Sequence, residues 1–138
     1  MLDFDEIPRL FARIQEAVDD RNAVQFADCW TEDAVLRIEF FDRDEPLELR
    51  GQEQIVGLAT GNWKPGETAF MRHLVGTVAV EPIDKTSARA QFYCLYVVPG
   101  PVAIGPGAGV YHDLVVWDKD KWRVKRRDHT FFTPIPGH

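Results

Sequence analysis

The segment Phe70-Met71-Arg72-His73-Leu74-Val75-Gly76 opens the part of the chain in which almost every element is predicted to be a β-strand. Successive side chains of a strand point to opposite faces, so Met71, His73 and Val75 are expected to share one face. Imidazole titrates near ~6.5, and a histidine between apolar neighbours is therefore a candidate for proton transfer. The alternative is that His73 is a hydrogen-bonded residue of the core.

The remaining predicted strands surround this segment. The pattern of β-branched and aromatic residues predicts strands at about 69–81, 87–98, 109–117 and 122–133, with a tight turn at Lys119-Asp120. An earlier strand at 34–41 turns back through 47–50. The uncharged run 90–110 is read as a strand and then a loop, because prolines and glycines interrupt its second half and exclude a membrane span.

Helices are predicted mainly before these strands. Apolar residues recur at helical spacing from Ile7 to Val18, and Asn22 is placed to cap a short second helix that runs through Trp30. A third helix starts at Gly51. The order predicts an α+β domain in which a strongly curved antiparallel sheet is covered by helices on its concave side. We expect a single domain over residues 1–133 and an extended tail at 134–138.

Charge and cysteine content limit the classes of function. With 22 acidic and 16 basic residues, the net charge of −6 argues against binding to nucleic acid. The one basic cluster, Arg123–Arg127, is expected to divide its charge between two strand faces. Cys29 and Cys94 lie far apart in apolar surroundings, which predicts reduced core thiols of a cytoplasmic protein, with a disulfide as the alternative. The N-terminus lacks the pattern of a signal peptide.

The sequence contains no motif for a metal or a phosphate-bearing cofactor. Its four histidines show no HxxxH or HxxE spacing, and the glycines at 105–109 alternate with proline and lead into no helix. We therefore expect no cofactor and no metal, and we interpret 105–109 as a loop at the rim of a pocket.

Six separated segments together resemble the SnoaL-like branch of the NTF2-like (ketosteroid-isomerase-like) superfamily. They are Ala17–Asn22, Trp30–Val35, Arg50-Gly51, Met71–Val75, Gly109–Val115 and Trp122–Arg127. The resemblance covers nearly the whole chain. It implies a conical pocket between helices and sheet, and a homodimer packed through the outer face of the sheet.

The resemblance also implies a catalytic pair. In relatives that act as dehydratases, an aspartate at the end of the first helix and a histidine in an Arg-His strand motif form an acid/base pair, and Asp19 and His73 match these positions. Ile14 stands where such relatives often carry a tyrosine, and Tyr93, Tyr96 or Tyr111 are candidate substitutes. From periodicity alone, Asp19 lies off the apolar stripe and is expected in solvent or as a cap of the second helix.

Other side chains are candidates for the pocket wall. We expect Tyr111 and Asp113 on one strand face and His112 on the other. Asp113 is interpreted either as a pocket residue or as half of an ion pair with Arg126 or Arg127, and His129 as a surface or dimer residue. The complete predicted lining is Ile14, Trp30, Phe40, Met71, Tyr96, Tyr111 and Asp113.

These features lead to two hypotheses about function. The first is a cofactor-independent lyase or isomerase, dehydratase-like, that uses Asp19 and His73 on a small hydrophobic cyclic substrate such as a steroid, terpenoid or polyketide. The second is a non-catalytic dimeric module that binds a small ligand, which the absence of a tyrosine at Ile14 favours. The aspartate–arginine–aspartate arrangement of the superfamily's epoxide hydrolases is not recognisable.

Overall fold

The computed structural model describes residues 1–61, 72–97 and 109–132. Within these ranges, a 3₁₀ turn at Phe4–Glu6 leads into three helices and seven strands. In chain order these are α1 Ile7–Asp19, α2 Ala23–Asp28, β1 Trp30–Glu39, β2 Leu47–Arg50, α3 Gln52–Thr60, β3 Arg72–Val75, β4 Ala79–Asp84, β5 Ser87–Val97, β6 Gly109–Asp118 and β7 Lys121–Phe131.

The helices form where the apolar spacing and the cap predict them. α1 buries a stripe of five apolar residues, Ile7, Leu10, Phe11, Ile14 and Ala17. The side chain of Asn22 accepts a hydrogen bond from the backbone N–H of Gln25 at 3.1 Å and so caps α2. The prediction was wrong about the end of α2, since this helix stops at Asp28 and Trp30 already belongs to β1.

The sheet is mixed and not purely antiparallel as predicted. Its strand order is β2-β1-β7-β6-β5-β3, and β4 pairs with β5 beside β3. β1 runs parallel to β7, whereas the other pairs are antiparallel. The helices between β1 and the later strands allow this parallel pairing, because parallel neighbours need a long connection. The single strand predicted at 69–81 is two strands, β3 and β4, and residues 69–71 lie outside the described residues.

A bulge in β7 sets which of its side chains face the helices. Val115 pairs with Val124 and Leu114 pairs with Arg126, so Lys125 is an extra residue opposite β6. Strict alternation would place Arg127 on the face opposite Val124. The bulge instead turns both to the same face, and both are buried. We predicted that the residues of Arg123–Arg127 alternate strictly between the two strand faces. This prediction is wrong after Lys125.

A cluster of charges ties the helical layer to β7. Asp28, at the end of α2, accepts from Arg13 at 3.3 Å, from Lys121 at 2.7 Å and from Arg123 at 3.0 Å. The hydrogen bond from Lys121, followed by those from Arg123 and Arg13, lowers the pKa of Asp28 to about 2, although burial opposes this shift. The carboxylate of Asp28 thus links α1 and α2 to β7.

Both cysteines are buried and free. Burial raises the pKa of each thiol to about 11, so both are protonated at neutral pH.

In the described ranges, no helix is long and apolar enough to cross a membrane. The predicted rim loop at 105–108 and the tail at 134–138 lie outside the described residues.

Deleting Lys125 tests the role of the bulge. The deletion restores simple alternation and turns either Arg127 and Phe131 or Trp122 and Val124 away from the core, because a one-residue slip exchanges strand faces. We expect the cooperative urea-unfolding transition, followed by circular dichroism, to be lost. Lys125→Ala keeps the extra residue and should change the unfolding free energy by no more than about 0.5 kcal/mol. A deletion variant with wild-type stability would contradict this assignment.

Replacing Asp28 by asparagine tests the charge cluster. Because the pKa of Asp28 lies below its ordinary value of 3.8, its stabilisation is present above that pH and is lost as the pH falls through about 2. Allowing for its partial exposure, we expect Asp28→Asn to lower the unfolding free energy by about 1 kcal/mol at pH 7. The difference from the wild type should shrink below about pH 4 in urea titrations. The exposed Asp44→Asn is the control, and a pH-independent difference would contradict the prediction.

Candidate active site

The inner face of the sheet carries four polar residues on two adjacent strands, Tyr111, Asp113, Arg127 and His129. Tyr111 pairs with His129, and Asp113 pairs with Arg127, across β6 and β7. As predicted, Tyr111 and Asp113 are buried on one face, whereas His112 is exposed on the other. The bulge at Lys125 is what brings Arg127 and His129 onto this inner face.

Asp113 and Arg127 form a buried ion pair. Nε of Arg127 donates to both carboxylate oxygens at 3.0 and 3.1 Å, and Nη2 donates to Oδ2 at 2.8 Å. Burial raises the pKa of Asp113, and the charge and hydrogen bonds of Arg127 oppose this. Burial alone would lower the pKa of Arg127, but Asp113 raises it above its ordinary value, so the guanidinium stays charged. Arg127 is therefore the ion-pair partner of Asp113.

Aromatic rings line the same face in a continuous row. Tyr111 lies 4.9 Å from Phe92 and 4.0 Å from His129 between ring centroids, and His129 lies 4.0 Å from Phe131. Phe131 in turn stacks on Phe40 at 5.9 Å. The wall is thus largely apolar, with polar groups at fixed points along it.

The prediction that His129 is a surface or dimer residue is wrong. Only 7% of His129 is exposed, and its ring fills the space left by a glycine on the neighbouring strand. A Cβ atom at Gly109 would lie 2.9 Å from Nε2 of His129. The sequence contained an indirect signal for the inward position of His129. Val124 and Phe131 are seven residues apart, so they cannot both face the core unless the strand contains a bulge between them.

Asp19 is buried, with 7% of its surface exposed, so the expectation from helical periodicity was wrong. α1 ends at this residue and packs against β3, and Asp19 lines a groove of about 360 Å³ together with Gln15, Leu74 and Val75. The charge of Asp19 also contributes to the high pKa of Cys94, which faces Val75 across β5 and β3. Tertiary packing at the helix end thus removes Asp19 from solvent.

His73 lies on β3 directly opposite Tyr96 of β5. Two residues further along the same strand pair, Val75 lies opposite Cys94. Cys94 is buried on the inner face. The backbone positions of His73 and Tyr96 are described, whereas their side chains and the whole of Met71 lie outside the described residues. The pairing of His73 with Asp19 stays a prediction.

The other predicted lining residues occupy different depths. Ile14 and Trp30 are buried in the core at 1% and 2% exposure, and Phe40 is half-buried beside Phe131. The guanidinium carbon of Arg127 lies 5.3 Å from the Trp30 ring.

Tyr93 is 56% exposed on the outer face, which excludes it as an inner hydrogen-bond donor. Within the described ranges, no three histidine, cysteine or acidic side chains are grouped to bind a metal ion.

The curved mixed sheet with N-terminal helices defines an NTF2-like, cystatin-like fold. The model of the SnoaL-like domain family matches residues 1–128. The chain belongs to the SnoaL-like family, and the resemblance inferred from its sequence is confirmed. No curated protein matches the sequence.

Solved structures share this fold at low sequence identity. An NTF2-like protein from Novosphingobium aromaticivorans is 20% identical with a TM-score of 0.75, covering 99% of this chain and 84% of that one. A putative scytalone dehydratase from the same organism is 17% identical with a TM-score of 0.73, covering 97% and 87%. ActVI-ORFA from Streptomyces coelicolor is 19% identical with a TM-score of 0.72, covering 94% and 97%.

The buried ion pair predicts a specific response to losing one partner. Arg127→Met leaves the Asp113 carboxylate buried without a counter-charge, and we expect the unfolding free energy at pH 7 to fall by about 3–5 kcal/mol. Without Arg127, the pKa of Asp113 in the folded state lies above its unfolded value. The variant should therefore gain stability in urea titrations as the pH is lowered from 7.

The double variant Asp113→Leu/Arg127→Met is the control for this prediction. It removes both charges, and we expect it to recover much of the stability lost in Arg127→Met, because apolar side chains of similar volume tolerate burial. A double variant that is less stable than the single one would contradict the assignment of an isolated ion pair.

Proposed function

We propose that this protein is a cofactor-independent lyase or isomerase of the dehydratase-like kind, in which Asp19 and His73 act as an acid/base pair. The observation that carries the proposal is the burial of Asp19 where the end of α1 packs against β3, the strand on which His73 lies. Membership of the SnoaL-like family and the fold of a putative scytalone dehydratase support the same class of reaction.

The position of Asp19 is costly for a residue without a role. Burial disfavours a carboxylate, and the negative end of the helix dipole disfavours it further at the last residue of α1. An interaction with a neighbouring group must therefore offset both terms. In the proposed pair, the carboxylate fixes the tautomer of the imidazole and increases its basicity.

The pair supports two related reactions. His73 removes a proton from a carbon next to a carbonyl group, and the same proton is then delivered to another carbon in an isomerisation or to a leaving hydroxyl in a dehydration. Neither reaction needs an oxidant or a reductant. No step needs a metal or an organic cofactor.

The composition of the inner wall supports the proposed substrate class. Phe131 and Phe40 contribute apolar rings to this wall, Phe92 packs against Phe11 in the core, and the charges of Asp113 and Arg127 are paired with each other. Such a wall favours a small hydrophobic cyclic substrate of the steroid, terpenoid or polyketide type, oriented by a few polar groups.

A non-catalytic module that binds a small ligand is the second candidate. Ile14 is 1% exposed in the core and offers no hydrogen bond from α1, which favours this alternative. Both candidates predict a bound lipophilic molecule, so only turnover separates them.

The proposal includes a cytoplasmic homodimer. A groove of about 420 Å³ on the outer sheet face is lined by residues that include Arg89, His112, Arg126 and Asp128. The face carries charges of both signs, which suits an isologous contact between two copies around a two-fold axis. Light scattering should give twice the monomer mass, and a monomer at micromolar concentration would oppose this part of the proposal.

Turnover assays with paired variants test the proposed acid/base pair. Scytalone and a Δ5-3-ketosteroid serve as substrates in D₂O, and dehydration, isomerisation and deuterium incorporation are followed by NMR. We expect His73→Gln and Asp19→Asn to lower the rate by about 10²–10⁴-fold. The control is Asp44→Asn, which is exposed between β1 and β2 and should keep the wild-type rate.

Two outcomes would count against the enzyme. Near-normal turnover by His73→Gln would remove its proposed role. A rise in melting temperature with either compound that is the same in the wild type and in His73→Gln, with no product and no deuterium incorporation, would support the binding module instead.

A further inference from the structure

A groove of about 360 Å³ lies between the C-terminal half of α1 and β3. Its volume is within the range of ligand pockets, about 300–1,000 Å³. The sheet side of this α1–β3 groove is apolar and is formed by Leu74 and Val75, whereas the helix side is polar and acidic. The described residues of the helix side are Ala12, Gln15, Glu16, Asp19 and Asp20. The groove therefore offers both a hydrocarbon surface and several polar groups to a ligand.

Gln15 is the side chain of the groove that packing alone does not explain. It lies where α1 packs against β3, a contact that an apolar side chain would satisfy, and only 5% of its surface is exposed. Among the described residues, no group forms a hydrogen bond with its amide, and the amide is not sealed off from solvent. A largely buried amide without a partner is unfavourable. The amide of Gln15 is therefore available to a molecule that enters the groove.

Three carboxylates give the groove a negative charge. Glu16 and Asp20 are exposed, and Asp19 lies deeper with 7% of its surface exposed. The described lining contains no basic side chain, and Arg21, the nearest basic residue in the sequence, is not part of it. The negative end of the helix dipole adds to this field, because α1 ends at Asp19. The groove therefore favours a cation over a neutral or an anionic ligand.

We propose that the α1–β3 groove binds an organic ammonium ion, that is, a protonated amine that carries a hydrocarbon group. An ammonium group has three N–H donors and no acceptor. One N–H donates to the amide oxygen of Gln15, and the others donate to the carboxylates of Glu16 and Asp20. The hydrocarbon group packs on Leu74 and Val75. This binding goes beyond the proposed acid/base function and is measured without turnover.

An amine suits this groove better than a metal ion does. Within the described ranges, no three histidine, cysteine or acidic side chains are grouped to bind a metal ion. A metal ion would also leave the apolar surface of Leu74 and Val75 in water, whereas an alkyl ammonium ion covers that surface. Charge and apolar contact thus point to the same chemical class of ligand.

Titration of the ¹⁵N-labelled full-length protein with cyclohexylammonium, followed by NMR, tests the proposal. Cyclohexanol, which has nearly the same shape and no charge, is the matched probe. At low ionic strength, we expect saturable binding of cyclohexylammonium that is about 10-fold tighter than binding of cyclohexanol. The side-chain amide resonance of Gln15, assigned by its loss in Gln15→Leu, should shift with cyclohexylammonium.

Three variants separate the contributions to binding. Gln15→Leu removes the amide and should weaken cyclohexylammonium binding by about 10-fold. The double variant Glu16→Gln/Asp20→Asn should weaken it by about 5-fold and reduce its dependence on ionic strength. The control is Asp44→Asn, which removes one exposed charge between β1 and β2 and should keep the wild-type affinity.

A substitution in the opposite direction keeps the proposal testable if Gln15→Leu does not fold. Gln15→Glu places a further carboxylate in the groove, and it should tighten cyclohexylammonium binding by about 3-fold, since hydrogen bonds between charged groups are stronger than neutral ones.

Four results would overturn the proposal. They are the absence of saturable binding to the wild type, equal affinities for the two probes, wild-type affinity in the folded variants at position 15, and chemical-shift changes confined to residues outside the groove. Turnover by His73→Gln is a separate measurement, so the amine site and the proposed function fail independently.

Discussion

The organisation of the inner face depends on the buried ion pair between Asp113 and Arg127. Three hydrogen bonds of 2.8–3.1 Å join β6 and β7 within a largely apolar wall. The guanidinium also serves as the surface on which Tyr111 and Trp30 lie. A buried charge is tolerated only when it is paired, so both residues must face inward together. The bulge at Lys125 satisfies this condition, because it brings Arg127 to the face that Val124 already occupies.

A second constraint fixes the end of α1. Asn22 caps α2 and its backbone N–H donates to the carbonyl oxygen of Ala17 at 2.8 Å, which closes the turn directly after Asp19. Asp28 then links the end of α2 to β7 through Lys121 and Arg123. The position of Asp19 against β3 is therefore maintained by local turn geometry and by a charge cluster that lies away from the candidate site.

Function in this fold resides in the side chains of the inner wall, since the same architecture carries unrelated activities. Here the charges of Asp113 and Arg127 are paired with each other. The same wall carries the phenol of Tyr111 and the imidazole of His129, and Asp19 lies at the end of α1. Asp19, Tyr111 and His129 come from three different elements.

Much of the architecture could be predicted from local patterns. The apolar stripe from Ile7 to Ala17, the Asn22 cap, and the alternation of Tyr111, His112 and Asp113 each depend on a few neighbouring residues, so the sequence determined them together with the family. Three features needed the tertiary structure: the burial of Asp19, the parallel pairing of β1 with β7, and the inward position of Arg127 and His129. Each depends on how distant elements meet, and a single extra residue opposite β6 reverses the facing of all that follow it.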